Sequence, residues 1–98
     1  QFLNEVNRKA GLLRQKLEGL IGGHTEVFEE VRGSGLMLGL KCKISNIDVV
    51  NAGYDNQVIT VPAADNVIRL LPPLTLSDDD IAQALIRLEK AAVQVASA

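Results

Sequence analysis

The hydrophobic period changes twice along this chain, and that change limits its fold more than any other feature. Leu3, Val6, Ala10, Leu13, Leu17 and Leu20 recur at alternating intervals of three and four residues, with polar residues between them. That spacing predicts one apolar face of an amphipathic helix, and Gly22-Gly23 predicts its end. The middle of the chain reads differently. Val27, Phe28 and Val31 make residues 25–32 strand-like, and Gly33-Ser34-Gly35 is a turn or bulge signal. Residues 36–42 are an apolar run bounded by turn residues, which favours a buried strand. Ser45 is placed to cap a short helix over 46–52 that buries Ile47, Val49 and Val50 and ends at Gly53. The β-branched run 58–61 predicts a strand stopped by Pro62. Ala63-Ala64-Asp65-Asn66 then predicts a turn, and residues 67–71 a last strand closed by Pro72-Pro73.

The helical period returns at Ser77. Its hydroxyl can accept from the Asp80 amide, a capping box with Asp where Glu is usual, and Asp78 to Asp80 favour the positive end of the helix dipole. Ile81, Ala84, Leu85, Leu88, Ala92 and Val95 follow at helical spacing, and only the last residues, 96–98, read as frayed. The order helix, strand, strand, helix, strand, strand, helix predicts an α+β fold over residues 1–98: a small, largely antiparallel sheet with helices packed on it.

Composition then excludes whole classes. The chain has 98 residues, enough for one domain, with no Trp, one Tyr and two Phe, so the core must be aliphatic. The net charge is −2 and the basic residues are scattered, which argues against a nucleic-acid face. No apolar run approaches the roughly 20 residues of a membrane span, and the first residues form no leader pattern. One cysteine and one histidine exclude a disulfide framework and a typical structural zinc site. A reducing cytoplasm is the simplest setting. The chain opens at Gln1 within a helical pattern and without an N-cap, which reads as a helix whose upstream chain is missing; a processed start is the alternative.

Few residues promise chemistry. Gly33-Ser34-Gly35 with Gly39 fails as a dinucleotide fingerprint: the third glycine is one residue late, and a strand follows where a helix should. Cys42 reads as a small core residue. His24 lacks a partner Cys, Ser or second His and reads as a solvated loop histidine. Asp78 to Asp80 are explained by capping, with no metal needed. Arg69 is different. It interrupts the apolar strand Val67-Ile68-Arg69-Leu70-Leu71 just before a rigid Pro-Pro turn, and a guanidinium offers a planar fork to a carboxylate. From strand alternation alone, an arginine that simply faces water is the ordinary reading.

Two blocks carry a family resemblance. Asp65-Asn66-Val67-Ile68-Arg69-Leu70-Leu71-Pro72-Pro73-Leu74-Thr75-Leu76-Ser77 resembles the C-terminal signature of class III, ornithine-type aminotransferases. Val31-Arg32-Gly33-Ser34-Gly35-Leu36-Met37-Leu38-Gly39-Leu40 resembles their paired-strand segment, in the right order and at the right separation. Leu-Leu-Pro-Pro-Leu is nearest the branch that acts on N-acetylornithine. Ala64 departs from a common glycine, and residues 51–57 do not align.

The resemblance implies the C-terminal small domain of a fold-type-I enzyme of arginine biosynthesis. That enzyme would move the terminal amino group of N-acetylornithine to 2-oxoglutarate with pyridoxal phosphate as cofactor. Arg69 would grip the α-carboxylate of substrate. The Schiff-base lysine and the other cofactor residues belong to the family's large domain, and Lys9, Lys16, Lys41, Lys43 and Lys90 lie outside its lysine motif. The partners implied are that large domain, a second subunit and the two substrates, and the chain alone is expected to bind no cofactor and to be inactive. A domain of this kind should keep an apolar patch, with Leu3, Val6 and the strand at Leu36 as candidates. Other donors remain open: ornithine, succinyl-diaminopimelate or 4-aminobutyrate. So do a stand-alone anion-binding module and a purely structural domain.

Overall fold

Seven elements follow one another in the expected order in the computed structural model, which describes residues 2–35, 37–71 and 77–97. They are α1 (Phe2–Gly23), β1 (Phe28–Ser34), β2 (Met37–Cys42), α2 (Asn46–Asp55), β3 (Thr60–Ala63), β4 (Val67–Leu70) and α3 (Asp78–Ala96). The four strands form one sheet in the order β1-β2-β4-β3, and every adjacent pair is antiparallel. The predicted α+β architecture is therefore the observed one.

One face of this sheet meets the helices. Leu13, Leu17 and Leu20 of α1, Ile81, Leu88 and Ala92 of α3, and Val49 of α2 share a single core with Leu38, Leu40, Cys42, Val31 and Ile68 of the strands. Aliphatic packing is thus the main stabilising term, as a chain without Trp requires. Along β1 the buried residues Phe28 and Val31 lie three apart, because a bulge between Phe28 and Glu30 resets the alternation.

Several boundaries differ from the sequence reading, each for a physical reason. Residues 25–27 form a turn, not strand, and Gly33 and Ser34 lie inside β1. Gly33 has φ +97, and a Cβ there would come within 2.0 Å of the Met37 carbonyl oxygen, so the hairpin closes only around glycine. Helix α2 runs past Gly53 to Asp55, and it buries Val49 while Ile47 stays exposed. Strand β3 begins at Thr60 and contains Pro62. A proline is tolerated there because β3 is an edge strand, paired on one side only among the described residues. Ser45 makes no side-chain cap on α2; the orphan amide of Asn46 donates to Asn66 Oδ1 instead, at 2.8 Å.

The capping box of α3 is present. The Asp80 amide donates to Ser77 Oγ at 3.0 Å, and the Ser77 amide donates to Asp80 Oδ2 at 3.0 Å. The Ser77 amide, with the Ser77 side chain beside it, holds the Asp80 carboxyl below the usual aspartate range. The expected Pro72-Pro73 stop lies outside the described residues, as do Leu36 and the side chain of Leu3. Val6 is half-buried. Among the described residues, no helix is long and apolar enough to cross a membrane.

Candidate functional site

The opposite face of the sheet collects the charge. Alternation that sends Ile68 into the core sends Val67 and Arg69 outward, and register does the rest. Arg69 lies opposite Gly39 of β2 and Val61 of β3, and Gly39 lies opposite Arg32 of β1. One row across the sheet therefore reads Arg32, Gly39, Arg69, Val61. Lys41 sits opposite Val67 and Glu30 in the next row. Arg32, Met37, Gly39, Ala63, Val67 and Arg69 line a shallow depression of about 260 Å³. Gly39 shapes it: a Cβ there would meet Val67 Cγ1 at 2.8 Å and the Ile68 carbonyl oxygen at 2.9 Å. A larger groove of about 530 Å³ on the helix side, between α3 and Leu70, holds no comparable set of cations.

The three cations of the outer face differ in company. The Arg32 guanidinium donates to Glu30 Oε2 at 2.6 Å and to Asp65 Oδ2. Lys41 Nζ donates to Asp65 Oδ1 at 2.9 Å. The two cations together hold the Asp65 carboxyl below its ordinary range, Lys41 contributing most. Arg69 is exposed and has no hydrogen-bond or ion-pair partner among the described residues. Its backbone is nevertheless fixed on both sides by β2 and β3, so an unpartnered guanidinium projects from a rigid strand. That combination suits capture of a planar anion, above all a carboxylate, through two parallel N–H bonds.

The turn before β4 is held by a residue whose role the sequence did not disclose. Asp65 and Asn66 both have positive φ, 65 and 59, which Asp and Asn adopt more readily than other side chains. Asn66 Nδ2 donates to the carbonyls of Cys42 at 2.8 Å and Ile44 at 2.6 Å. Asn46 in turn donates through Nδ2 to the carbonyls of Ala63 and Val67, at 3.2 and 3.0 Å. Two asparagines thus clip the hairpin, the end of β2 and the start of α2 together. An Asp-Asn pair in a turn signals αL backbone, but nothing local shows that its side chains reach residues 20 or more positions away.

The remaining candidates are structural. Cys42 is buried, and burial pushes its thiol up to about 11, far from a reactive thiolate at neutral pH. His24 is not solvated as expected. Its side chain is 13% exposed, with Nε2 3.6 Å from Glu89 of α3 and Nδ1 3.8 Å from Glu26. Asp78 pairs with Arg8 of α1 at 3.0 Å, and Asp80 belongs to the cap.

Comparison with known proteins gives this geometry a context. The family Aminotransferase class-III matches residues 1–92. The chain is 61% identical over 94 residues to acetylornithine aminotransferase of Rhodobacter capsulatus, covering 96% of this chain and 24% of that protein. It is 48% identical over 97 residues to acetylornithine aminotransferase of Mesorhizobium japonicum, covering 99% of this chain and 24% of the relative. The crystal structure of N-acetylornithine aminotransferase from Stenotrophomonas maltophilia superposes with a TM-score of 0.86 at 28% identity, over 99% of this chain and 28% of that one. The chain therefore spans about a quarter of the length of the relatives it matches.

Proposed function

The chain belongs to the class-III aminotransferase family, and from that premise we propose that it is the substrate-carboxylate-binding part of an acetylornithine aminotransferase. In this reading it forms the C-terminal small domain of a longer cytoplasmic enzyme. That enzyme moves the terminal amino group of N-acetylornithine to 2-oxoglutarate, with a large domain and a second subunit as partners. The names of the relatives at 61% and 48% identity support that donor over ornithine, succinyl-diaminopimelate or 4-aminobutyrate.

One observation carries the site assignment. On a face where Arg32 and Lys41 are already paired with carboxylates, Arg69 alone has no partner among the described residues. An arginine is always charged, so an unpaired one on a fixed strand is a standing site for an anion. Its fork would bind the substrate α-carboxylate in two parallel bonds and fix the distance from that carboxylate to the reacting amino group. Orientation of this kind lowers the barrier by removing rotational freedom before reaction.

The residues of this face do not fit a cradle for pyridoxal phosphate. The cofactor's aldehyde requires a free amine, and Lys41 has its ammonium held against Asp65 at 2.9 Å. Both carboxylates near the outer row, Glu30 and Asp65, are likewise committed to Arg32 and Lys41, so neither is open to a pyridinium nitrogen. The cofactor is accordingly assigned to the rest of the enzyme, and the chain by itself to inactivity.

The test is kinetic and uses the full-length enzyme. Lysine at position 69 keeps the charge and loses the fork. With charge-assisted hydrogen bonds contributing about 1.5–3 kcal/mol each, Arg69→Lys is expected to raise the Michaelis constants of carboxylate substrates by about one to two orders of magnitude. Wild-type constants for both the amino donor and 2-oxoglutarate would reduce Arg69 to an ordinary strand residue. In parallel, the chain alone mixed with pyridoxal phosphate should lose all cofactor absorbance on dialysis; a retained Schiff-base band would contradict the division of labour.

A further inference from the structure

The charges around Arg69 form a pattern that one arginine does not explain. Arg32 and Arg69 lie on either side of Gly39 in the same row, two strand spacings or about 10 Å apart at the backbone. Lys41, opposite Val67, is the diagonal neighbour of Arg69, at about 7–8 Å. Three cations this close around a bare glycine would attract any polyanion. Asp65 sits between two of them: one carboxylate oxygen accepts from Lys41 at 2.9 Å and the other accepts from Arg32. Glu30 supplies a second anion to Arg32 at 2.6 Å. Among these five groups, Arg32 and Lys41 share the two anions, and Arg69 is the cation with no partner among the described residues.

Building on the reading of Arg69 as the carboxylate site, we infer that Asp65 is a specificity-determining residue: it cancels Lys41 and Arg32, so the face grips one carboxylate without favouring dianions. Its position is enforced. Asp65 sits at φ 65 in the turn that the Asn66 and Asn46 side chains clip to β2 and α2, and that fixed backbone places its carboxylate within bonding reach of Lys41 and Arg32. The two substrates of the proposed reaction differ in the property this screen controls. An N-acylated diamino acid carries one carboxylate and one ammonium and is neutral overall. A 2-oxo dicarboxylic acid is a dianion. Any positive charge uncovered 7–10 Å from Arg69 favours the second over the first.

The experiment compares Michaelis constants for the two substrates in the full-length enzyme. Asp65→Asn is the informative variant, since asparagine accepts the same positive φ while losing the charge. It should lower the constant for the dicarboxylate, relative to that for the amino donor, by roughly three- to tenfold at low salt, and the gain should shrink in high salt. Asp65→Glu should restore the wild-type ratio. Lys41→Gln added to Asp65→Asn removes the uncovered cation and should also restore it, which a mere loosening of the turn would not do. An unchanged ratio, an equal shift for both substrates, or no reversal by Lys41→Gln would overturn the inference. These ratios are read with Arg69 in place, so they stand apart from the Arg69→Lys result: wild-type constants there remove the anchor, and a flat ratio here removes only the screen.

Discussion

Ile68 and Arg69 are neighbours in β4 and live in opposite worlds. Ile68 is fully buried, enclosed with Leu38, Leu40, Leu17 and Ile81 beneath the helices. Arg69 stands on the outer face beside a glycine, among charged groups that have found partners elsewhere. The inner face is stabilised by burying aliphatic surface, which has no direction and tolerates no unpaired charge. The outer face is organised by directional ion pairs at exposed positions, which contribute little to stability. The lesson is that a single strand divides its residues between holding the domain together and presenting chemistry, and alternation is the divider.

Mutations at these two adjacent positions should separate the roles. Ile68→Ala is expected to cost about 2–5 kcal/mol in urea denaturation, because the helices above it cannot collapse fully into the space. Arg69→Ala should change stability by no more than about 0.5 kcal/mol while impairing substrate binding. Equal losses of stability at the two positions would erase the distinction between the faces.

The clip joining the faces comes next in size. Asn66→Ala removes three hydrogen bonds, leaves the Asn46 amide and two carbonyls without their partner, and places alanine at φ 59. A loss of about 2–3 kcal/mol follows from roughly 1 kcal/mol per bond. Asn66→Gly, which accepts that φ freely, should recover the backbone part only. A glycine variant as stable as the wild type would show that the side-chain bonds contribute nothing.

The smallest effect tests whether the inner face tolerates polarity. Thr60 is buried, and its Oγ1 has no hydrogen-bond partner among the described residues. Thr60→Val keeps the shape and removes the unsatisfied hydroxyl, so melting should show a gain of about 1 kcal/mol. A loss would mean that the hydroxyl is satisfied and that this part of the face is more polar than its neighbours.

Much of this was legible without coordinates. The spacing Leu13, Leu17, Leu20 placed one core helix, and Ser77 with Asp80 placed the start of another, because the first signal is complete within eight residues and the second within four. Arg69 stood out as the charge in an apolar strand. The errors fall where the deciding partner is remote. Ser45 looks like a cap by every local rule, yet its side chain makes no cap bond, and the first amide of α2, that of Asn46, is satisfied by Asn66, 20 residues away. Pro62 looks like a strand terminator, yet only the sheet order shows that β3 is an edge. His24 looks solvated until α3 brings Glu89 beside it.

By itself, the sequence determined the order and kind of the elements, the aliphatic core, the turn before the last strand and the family, since all rest on hydrophobic period, local backbone preference and residue identity. Tertiary structure alone decided which cations are neutralised. The sequence singles out Arg69 by its apolar strand, but nothing in it says which of Arg32, Lys41 and Arg69 is neutralised. They become electrostatically different only when register sets Asp65 against Lys41 and Arg32, 24 and 33 residues away, and gives Arg69 no partner among the described residues. Electrostatic partnership depends on distance in space, which strand pairing sets and sequence spacing does not.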